Sequence, residues 1–417
     1  MLYPVAMDFK EKLQKLHDFL APYEPLWSRE IMLEYPRALE GYPQEWLDEL
    51  SSFTDPQTQI QIEKKKIQGL IKNEELLKLY KIEKELTTLP TIEIKELPPS
   101  DKYTYLFMIP KKQHEIMKFA PLINAEARNQ KIKRIIDIGG GIGLLAQTLS
   151  NSYGLNVHSF DQNQEFQATG KERNQKNTKD PDHLVHYQNL KIGAQEKDFL
   201  NYIQAEDMTV GLHTCGPLAV HQIQASVEKK LRAIMNMGCC YHLLEDTPFL
   251  GISAFSKTID FFKFNKFALT LACRAHKKLD QKDFDLKYKV KVFRYGIHLF
   301  LYDCYDQKEL LTLGNSHPKL YDGSFSHYVR EQFKRTNLEL RHNDEEIDQY
   351  LSEPTRKKYI DDMITAGIIR NLFGRALEVY LLLDRAIFLE EQGYQASLVE
   401  IFDEELSPRN ICLIGTN

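Results

Sequence analysis

Ile135-Ile136-Asp137-Ile138-Gly139-Gly140-Gly141-Ile142-Gly143 decides the reading of this 417-residue chain. A β-branched apolar run carrying an acid leads into four glycines within five residues, and a helical pattern follows from Leu144. That order spells a strand, a tight turn and a helix start. Glycine lets the backbone take positive φ and admits a ligand where a Cβ would block it. A helix N-terminus adds unpaired N–H groups and a partial positive charge. Together they make a nucleotide-type cofactor site.

Two cofactors compete for that loop. Gly141-Ile142-Gly143-Leu144-Leu145-Ala146 satisfies the dinucleotide pattern G-x-G-x-x-A. Asp137 argues otherwise, because an acid two residues ahead of the first glycine would repel a pyrophosphate. S-adenosyl-L-methionine has no phosphate and carries an ammonium and a sulfonium. The spacing of Asp137, Gly139, Gly141 and Gly143 resembles motif I of class I methyltransferases. A second apolar run, residues 155–160, ends on Asp161, where a carboxylate accepts hydrogen bonds from ribose hydroxyls. Asp161 suits any adenosine-containing ligand and does not choose between the two.

Composition bounds the rest. Hydrophobic residues make up 42% and charged residues 27%, typical of a globular protein. The formal net charge of −5 provides no global field for nucleic acid, so such binding needs a local basic patch. Six cysteines in a chain this long do not spell a disulfide framework, and the adjacent Cys239-Cys240 suits a reducing compartment. No run approaches a membrane span, and a cytoplasmic location without membrane partners is the expectation.

The predicted architecture is α/β, a Rossmann-like sheet with an N-terminal helical region and a helical insertion. Residues 1–100 read as helical, with helices over 8–20 and 60–86 and linker signals at Leu89-Pro90 and Leu97-Pro98-Pro99-Ser100. Residues 101–248 alternate strand and helix, with strands at 134–138, 156–160, 184–187, 209–212 and 233–237. Residues 249–374 form the insertion, with helices over 259–271, 288–301, 326–333 and 345–367 and interruptions at 282–285 and 314–318. Residues 375–417 hold an apolar helix over 375–392 and a hairpin of strands 397–402 and 410–414. A class I methyltransferase sheet ends in a helix and two strands, one of them antiparallel. The hairpin is therefore expected to complete the sheet begun before the insertion.

Two clusters fall at strand ends, where open α/β sheets bind ligands. They are His213-Thr214-Cys215-Gly216 and Gly238-Cys239-Cys240-Tyr241-His242. With Pro110-Lys111-Lys112-Gln113-His114-Glu115, Leu383-Asp384-Arg385, Glu391-Gln392-Gly393, Phe402-Asp403 and Ser407-Pro408-Arg409-Asn410, they resemble a family of methyltransferase-domain proteins. That family includes the ribosomal RNA adenine dimethylase domain-containing proteins. The pairing of H-x-C-G with C-C-x-H is also similar to eukaryotic acceptor-stem tRNA 2′-O-methyltransferases. Adenine N6-methyltransferases carry N-x-P-[YF] after the fourth strand. Here His213-Thr214-Cys215-Gly216 stands in its place, so the adenine activity is not carried over.

These residues give the candidate site. Asp137, Gly139, Gly141, Gly143 and Asp161 are assigned to the cofactor. His213, His242, Cys215 and Tyr241 are the candidates beside the transferable methyl, either histidine being a possible general base. A metal held by His213, Cys215, Cys239, Cys240 and His242 has suitable ligand types, but C-C-x-H is unusual zinc spacing, and no metal is assigned. Lys111 and Lys112 in a first helical turn oppose the helix dipole and point to an anionic partner, the cofactor carboxylate or a substrate phosphate. Glu115 suits the cofactor amine, and Lys112, His114 and Glu115 join the cofactor set. Asp384-Arg385 reads as a structural ion pair, and Cys273, Cys304 and Cys412 as core thiols. The expected activity is S-adenosyl-L-methionine-dependent methylation of a macromolecule. RNA is favoured, tRNA among the candidates, and protein is the alternative. An NAD(P)-dependent oxidoreductase or a non-catalytic binding protein is the reading from another class.

Overall fold

The strand β1 (Arg134–Ile138) is the centre from which the sheet is built. Its side chains alternate between two cores, as a period of two requires. Ile135 joins Phe119, Ile123, Leu145 and Leu149 on one face. Ile136 and Ile138 join Phe160, Phe199 and Leu231 on the other. Burial on both faces explains the near-continuous apolar run. The computed structural model describes residues 7–53, 56–63, 65–67, 69–94, 108–178, 181, 184–193, 196–274, 280–311, 313 and 316–417.

The remaining strands are β2 (Val157–Asp161), β3 (His186–Asn189), β4 (Asp207–Cys215), β5 (Ala233–Cys239), β6 (Gln395–Glu400) and β7 (Ile411–Thr416). Among the described residues the sheet order is β3-β2-β1-β4-β5-β7-β6. The first five strands run parallel, and β7 lies antiparallel to both β5 and β6. This is the α/β, Rossmann-like sheet of class I methyltransferases, closed by a hairpin that follows a helical insertion. The order reverses between β1 and β4, which is the topological switch point where such sheets bind ligands.

The chain divides into two compact units. One comprises Met1–Ala21, Leu86–His276 and Gly374–Asn417 and contains the sheet. The other comprises Pro22–Glu85 and Lys277–Phe373. Its core gathers Phe293, Ile297, Phe300, Tyr328, Phe333 and Ile347. The Phe9–Leu20 helix, capped by Asp8, counts with the sheet unit.

Several helices differ from expectation. The run over 60–86 is split into Pro56–Glu63 and Glu74–Thr87, with Gly69 at positive φ between them. Residues 282–285 do not interrupt a helix. They lie inside Gln281–Tyr305, capped by Asp280, because charges without Gly or Pro do not break one. The predicted helix over 259–271 is limited to Lys266–Ala272, started by the Asn265 cap. The helix over 345–367 breaks at Pro354, and a single helix then runs from Pro354 to Glu391. Proline starts a helix well and restricts the residue before it. Gly374 does not end that helix, since it sits where a Cβ would come within 2.9 Å of the Leu271 carbonyl oxygen.

Leu89-Pro90 is no free connector. Thr91 bridges Glu400 in parallel, so this stretch pairs with β6 at the sheet edge. The linker signal at 97–100 lies outside the described residues, as does part of the interruption at 314–318.

Candidate active site at the sheet switch point

The loop after β1 is fixed by its own backbone. Gly139, Gly141 and Gly143 all take positive φ, at 68°, 58° and 73°. The Gly143 N–H donates to the Gly140 carbonyl at 2.8 Å, and the Gly140 N–H donates to that of Phe160 at 3.1 Å. Gly140 is pressed onto the sheet, and a Cβ there would lie 2.2 Å from Ser159 Oγ. Gly141 is the opposite case, because a Cβ would meet nothing within 4 Å. The open side of the loop is therefore at Gly141. Asp161, at the end of β2, accepts the Gly141 N–H at 2.9 Å through Oδ2 and the Asn163 N–H at 2.8 Å through Oδ1.

Beside this loop lies a cavity of about 390 Å³. Asp161, Gln162 and Lys191 supply polar groups, and Leu190, Ile192 and Leu218 supply apolar wall. That mixture of apolar wall and few polar groups is the usual form of a small-molecule site.

Asp137 is sealed beneath the loop, 1% exposed, and its Oδ2 has no hydrogen-bond partner. Burial pushes its carboxyl up to about 7, against the pull of Lys112 and with the help of Asp161. That oxygen lies directly under Gly140, where a Cβ would come within 2.5 Å of it.

Glu115 is also buried, at 1% side-chain exposure, but it is fully engaged. His213 Nε2 and Ser407 Oγ each lie 2.7 Å from Oε1. Lys111 Nζ stands 3.6 Å and Lys112 Nζ 3.5 Å from the carboxylate. Burial alone would raise this carboxyl, but His213, Ser407 and Lys112 outweigh it and hold it at about 2. The two lysines thus answer a buried acid one turn further along their helix, which offsets their unfavourable place in the first turn.

The ends of β4 and β5 bring three thiols together. Cys215 Sγ is 3.3 Å from Cys239 Sγ and 3.4 Å from Cys240 Sγ, and the last two are 3.7 Å apart. The hydrogen bond from Cys239 draws the Cys215 thiol down to about 6. The same bond pushes Cys239 up, and burial pushes Cys240 up.

The comparisons bear on this strand–loop–strand region. A methyltransferase domain model matches residues 111–247. The chain is similar to the probable methyltransferase-like protein 25 of Homo sapiens, 24% identical over 274 residues. Those residues are 61% of this chain and 44% of the human protein. The Mus musculus protein of the same name is 43% identical over 70 residues, 17% of this chain and 12% of that one. The matched stretches thus span less than half the length of either relative.

Within the matched region, the expected residues divide into three groups. Gly139, Asp161 and Cys215 line the cavity, Gly141 is bonded to Asp161, and Asp137 is buried beneath the loop. Lys112, Glu115 and His213 form the neighbouring charged cluster. Three residues engage other partners. Tyr241 is 1% exposed and donates its hydroxyl to Glu378 at 3.3 Å, so it is a buried anchor, with burial raising its phenol. His114 Nε2 accepts the Asp403 N–H at 3.1 Å and its ring meets Phe402, so it holds the hairpin loop. His242 Nδ1 lies 3.6 Å from Cys273 Sγ, and, like His213, its ring is not part of the cavity lining.

Two further expectations change. Asp384 accepts the N–H groups of Ile252 and Ser253, while Arg385 lies over the Tyr241 ring at 5.6 Å with Nη1 lacking a partner. They do not form the expected ion pair, because neighbours on a helix face different ways. Of the three supposed core thiols only Cys412 is buried, whereas Cys273 and Cys304 are partly exposed.

Sequence reasoning missed Gln162, Lys191 and Ile192, which follow β2 and β3 on loops without a distinctive pattern. It also missed the Ser407 and Arg409 roles. Arg409 pairs with buried Glu378 at 2.6 Å, and Arg375 joins the same carboxylate at 2.8 Å and Glu400 at 2.5 Å.

Proposed function

We propose that this protein is an S-adenosyl-L-methionine-dependent methyltransferase acting on a macromolecule, with RNA as the favoured substrate class. The observation that carries the reading is the cavity at the β1/β4 switch point, with Asp161 on its wall and the open side of Gly141 beside it. The residues present fit the cofactor. Asp161 retains lone pairs for ribose hydroxyls beyond the two it gives to backbone N–H groups. The apolar wall suits an adenine ring. Lys112 is a cation for a carboxylate. A dinucleotide pyrophosphate is disfavoured by Asp137.

When bound, the cofactor supplies a methyl group activated by its sulfonium. The protein contributes placement and a proton acceptor. If His213 donates from Nε2 to Glu115, its Nδ1 is left as the acceptor for a proton from the nucleophile. Glu115, held by Ser407 and two lysines, fixes that tautomer. His213 sits at φ 66°, at a register shift of β4, so its ring leaves the regular strand alternation.

RNA is favoured by the resemblance of the His213 and Cys239 motifs to acceptor-stem tRNA enzymes, and the net charge of −5 counts against it. The test is transfer of a radiolabelled methyl group into cell extract, followed by digestion. Label lost to nuclease supports RNA, and label lost only to protease moves the substrate to protein. Absence of transfer together with tight binding of the cofactor would mark a binding protein. Binding of NADH in its place would overturn the cofactor.

A further inference from the structure

We propose that Cys215, Cys239 and Cys240 form a zinc site whose fourth coordination position opens onto the cavity beside the glycine loop.

The first observation is convergence. Three Sγ atoms lie 3.3, 3.4 and 3.7 Å from one another, and among the described residues this is the cluster able to offer three ligand atoms to one metal ion. A tetrahedral zinc with sulfur at about 2.3 Å separates its sulfurs by about 3.8 Å. The three thiols are within about half an ångström of that arrangement. They are not disulfide-bonded.

The second observation is the backbone that produces it. Adjacent residues on a strand face opposite sides of the sheet, so Cys239 and Cys240 should not reach one ion. Cys240, however, takes φ 52°, ψ 47°, a left-handed conformation that residues with a Cβ rarely adopt. It ends β5 and turns its side chain back beside that of Cys239. On the neighbouring strand the register shifts between Leu212 and Thr214, so that Cys215 comes to pair with Cys239. Two local departures from regular structure, at His213 and Cys240, are thus spent at the same spot.

The chemistry narrows the metal. An all-thiolate set selects soft or borderline ions, and zinc accepts three protein sulfurs with one open position. Cys239 is buried, Cys240 partly so, and Cys215 is exposed and lines the cavity. The open position therefore lies on the Cys215 side. It takes water or a soft donor atom of an incoming ligand.

This site is independent of the methyl-transfer reading, since metal uptake is read without cofactor or substrate. The reduced, chelator-treated full chain is titrated with Zn²⁺ against a chromophoric chelator, and with Co²⁺ for sulfur-to-cobalt charge-transfer absorption. One equivalent of zinc, with that absorption, is expected. Cys215→Ser and Cys240→Ser should each abolish stoichiometric uptake, and Cys304→Ser should leave it intact. X-ray absorption of the zinc-loaded wild-type chain should show three sulfur neighbours, a reading that stands even if a variant fails to fold. No uptake by the reduced wild type, uptake of Cu(I) but not Zn²⁺, or a zinc shell with fewer than three sulfurs would overturn the proposal.

Discussion

A carboxyl without a partner for one oxygen, closed in under a glycine loop, makes Asp137 sensitive to pH. An unfolded Asp titrates near 3.9, whereas burial raises this one to about 7. The folded state then holds the extra proton between those values. Its stabilising contribution is complete below about pH 4 and is lost as pH rises through about 7. Denaturant midpoints of the cofactor-free protein should show that decline, and Asp137→Asn should flatten it; an unchanged slope would mean Asp137 is ionised throughout. For Asp161→Ala the expected loss in cofactor affinity is about 1–3 kcal/mol by calorimetry, since charged hydrogen bonds disappear. Unchanged affinity would remove Asp161 from the ribose. His213→Ala should lower kcat by roughly 10²–10⁴-fold while leaving cofactor affinity intact. If affinity falls instead, the histidine acts through the cluster with Glu115. The glycines and Asp161 were legible in the sequence because their role is written in backbone conformation at a strand end. Tyr241 and His114 were not, because a motif places a residue near a cleft without saying which way its side chain turns. The bond between Glu115 and Ser407, 292 positions apart, leaves no local trace at all.

At the scale of elements, β7 is an inner strand, bonded to β5 on one side and β6 on the other. Removing residues 395–417 strips the sheet of two strands and leaves β5 with an open apolar edge. It also removes Glu400, Arg409 and Asn410 from the ion-pair cluster around Arg375 and Glu378. The truncated chain is expected in the insoluble fraction or unable to bind cofactor. A soluble, binding-competent product would show that the hairpin is dispensable to the fold. The strands were readable because a parallel sheet buried on both faces concentrates β-branched and apolar residues. Helix limits were less so. Charge alternation over 282–285 mimics a break, whereas Pro354 imposes a real one inside a continuous pattern. Gly374 lies inside the helix and serves close packing. The three thiols were named in the sequence as possible ligands, but that the adjacent Cys239 and Cys240 reach one point was not legible, since the left-handed turn at Cys240 has no residue signature.

For the whole molecule, an acidic chain that bound RNA would need to do so through a local basic path, and its affinity should then fall steeply with salt. Binding of extract RNA by filter retention at two salt concentrations checks this, and salt-independent retention would count against an RNA substrate. No helix among the described residues is long and apolar enough to cross a membrane. The helix from Pro354 to Glu391 runs through the boundary between the two units, with Gly374 opening the segment that returns to the sheet. The sheet is thus written in two instalments, with β5 ending at residue 239 and its neighbour β7 beginning at residue 411. At about 5–20 residues per second of synthesis, some 170 residues of separation mean roughly 10–35 s between the two on a ribosome. During that interval the nascent chain displays an unpaired strand edge of seven residues, Ala233–Cys239, that ends in one thiol and is followed at once by a second, Cys240. Slowed translation across the insertion should lengthen that interval and raise the yield of aggregates, making the order of synthesis itself a determinant of how much protein matures.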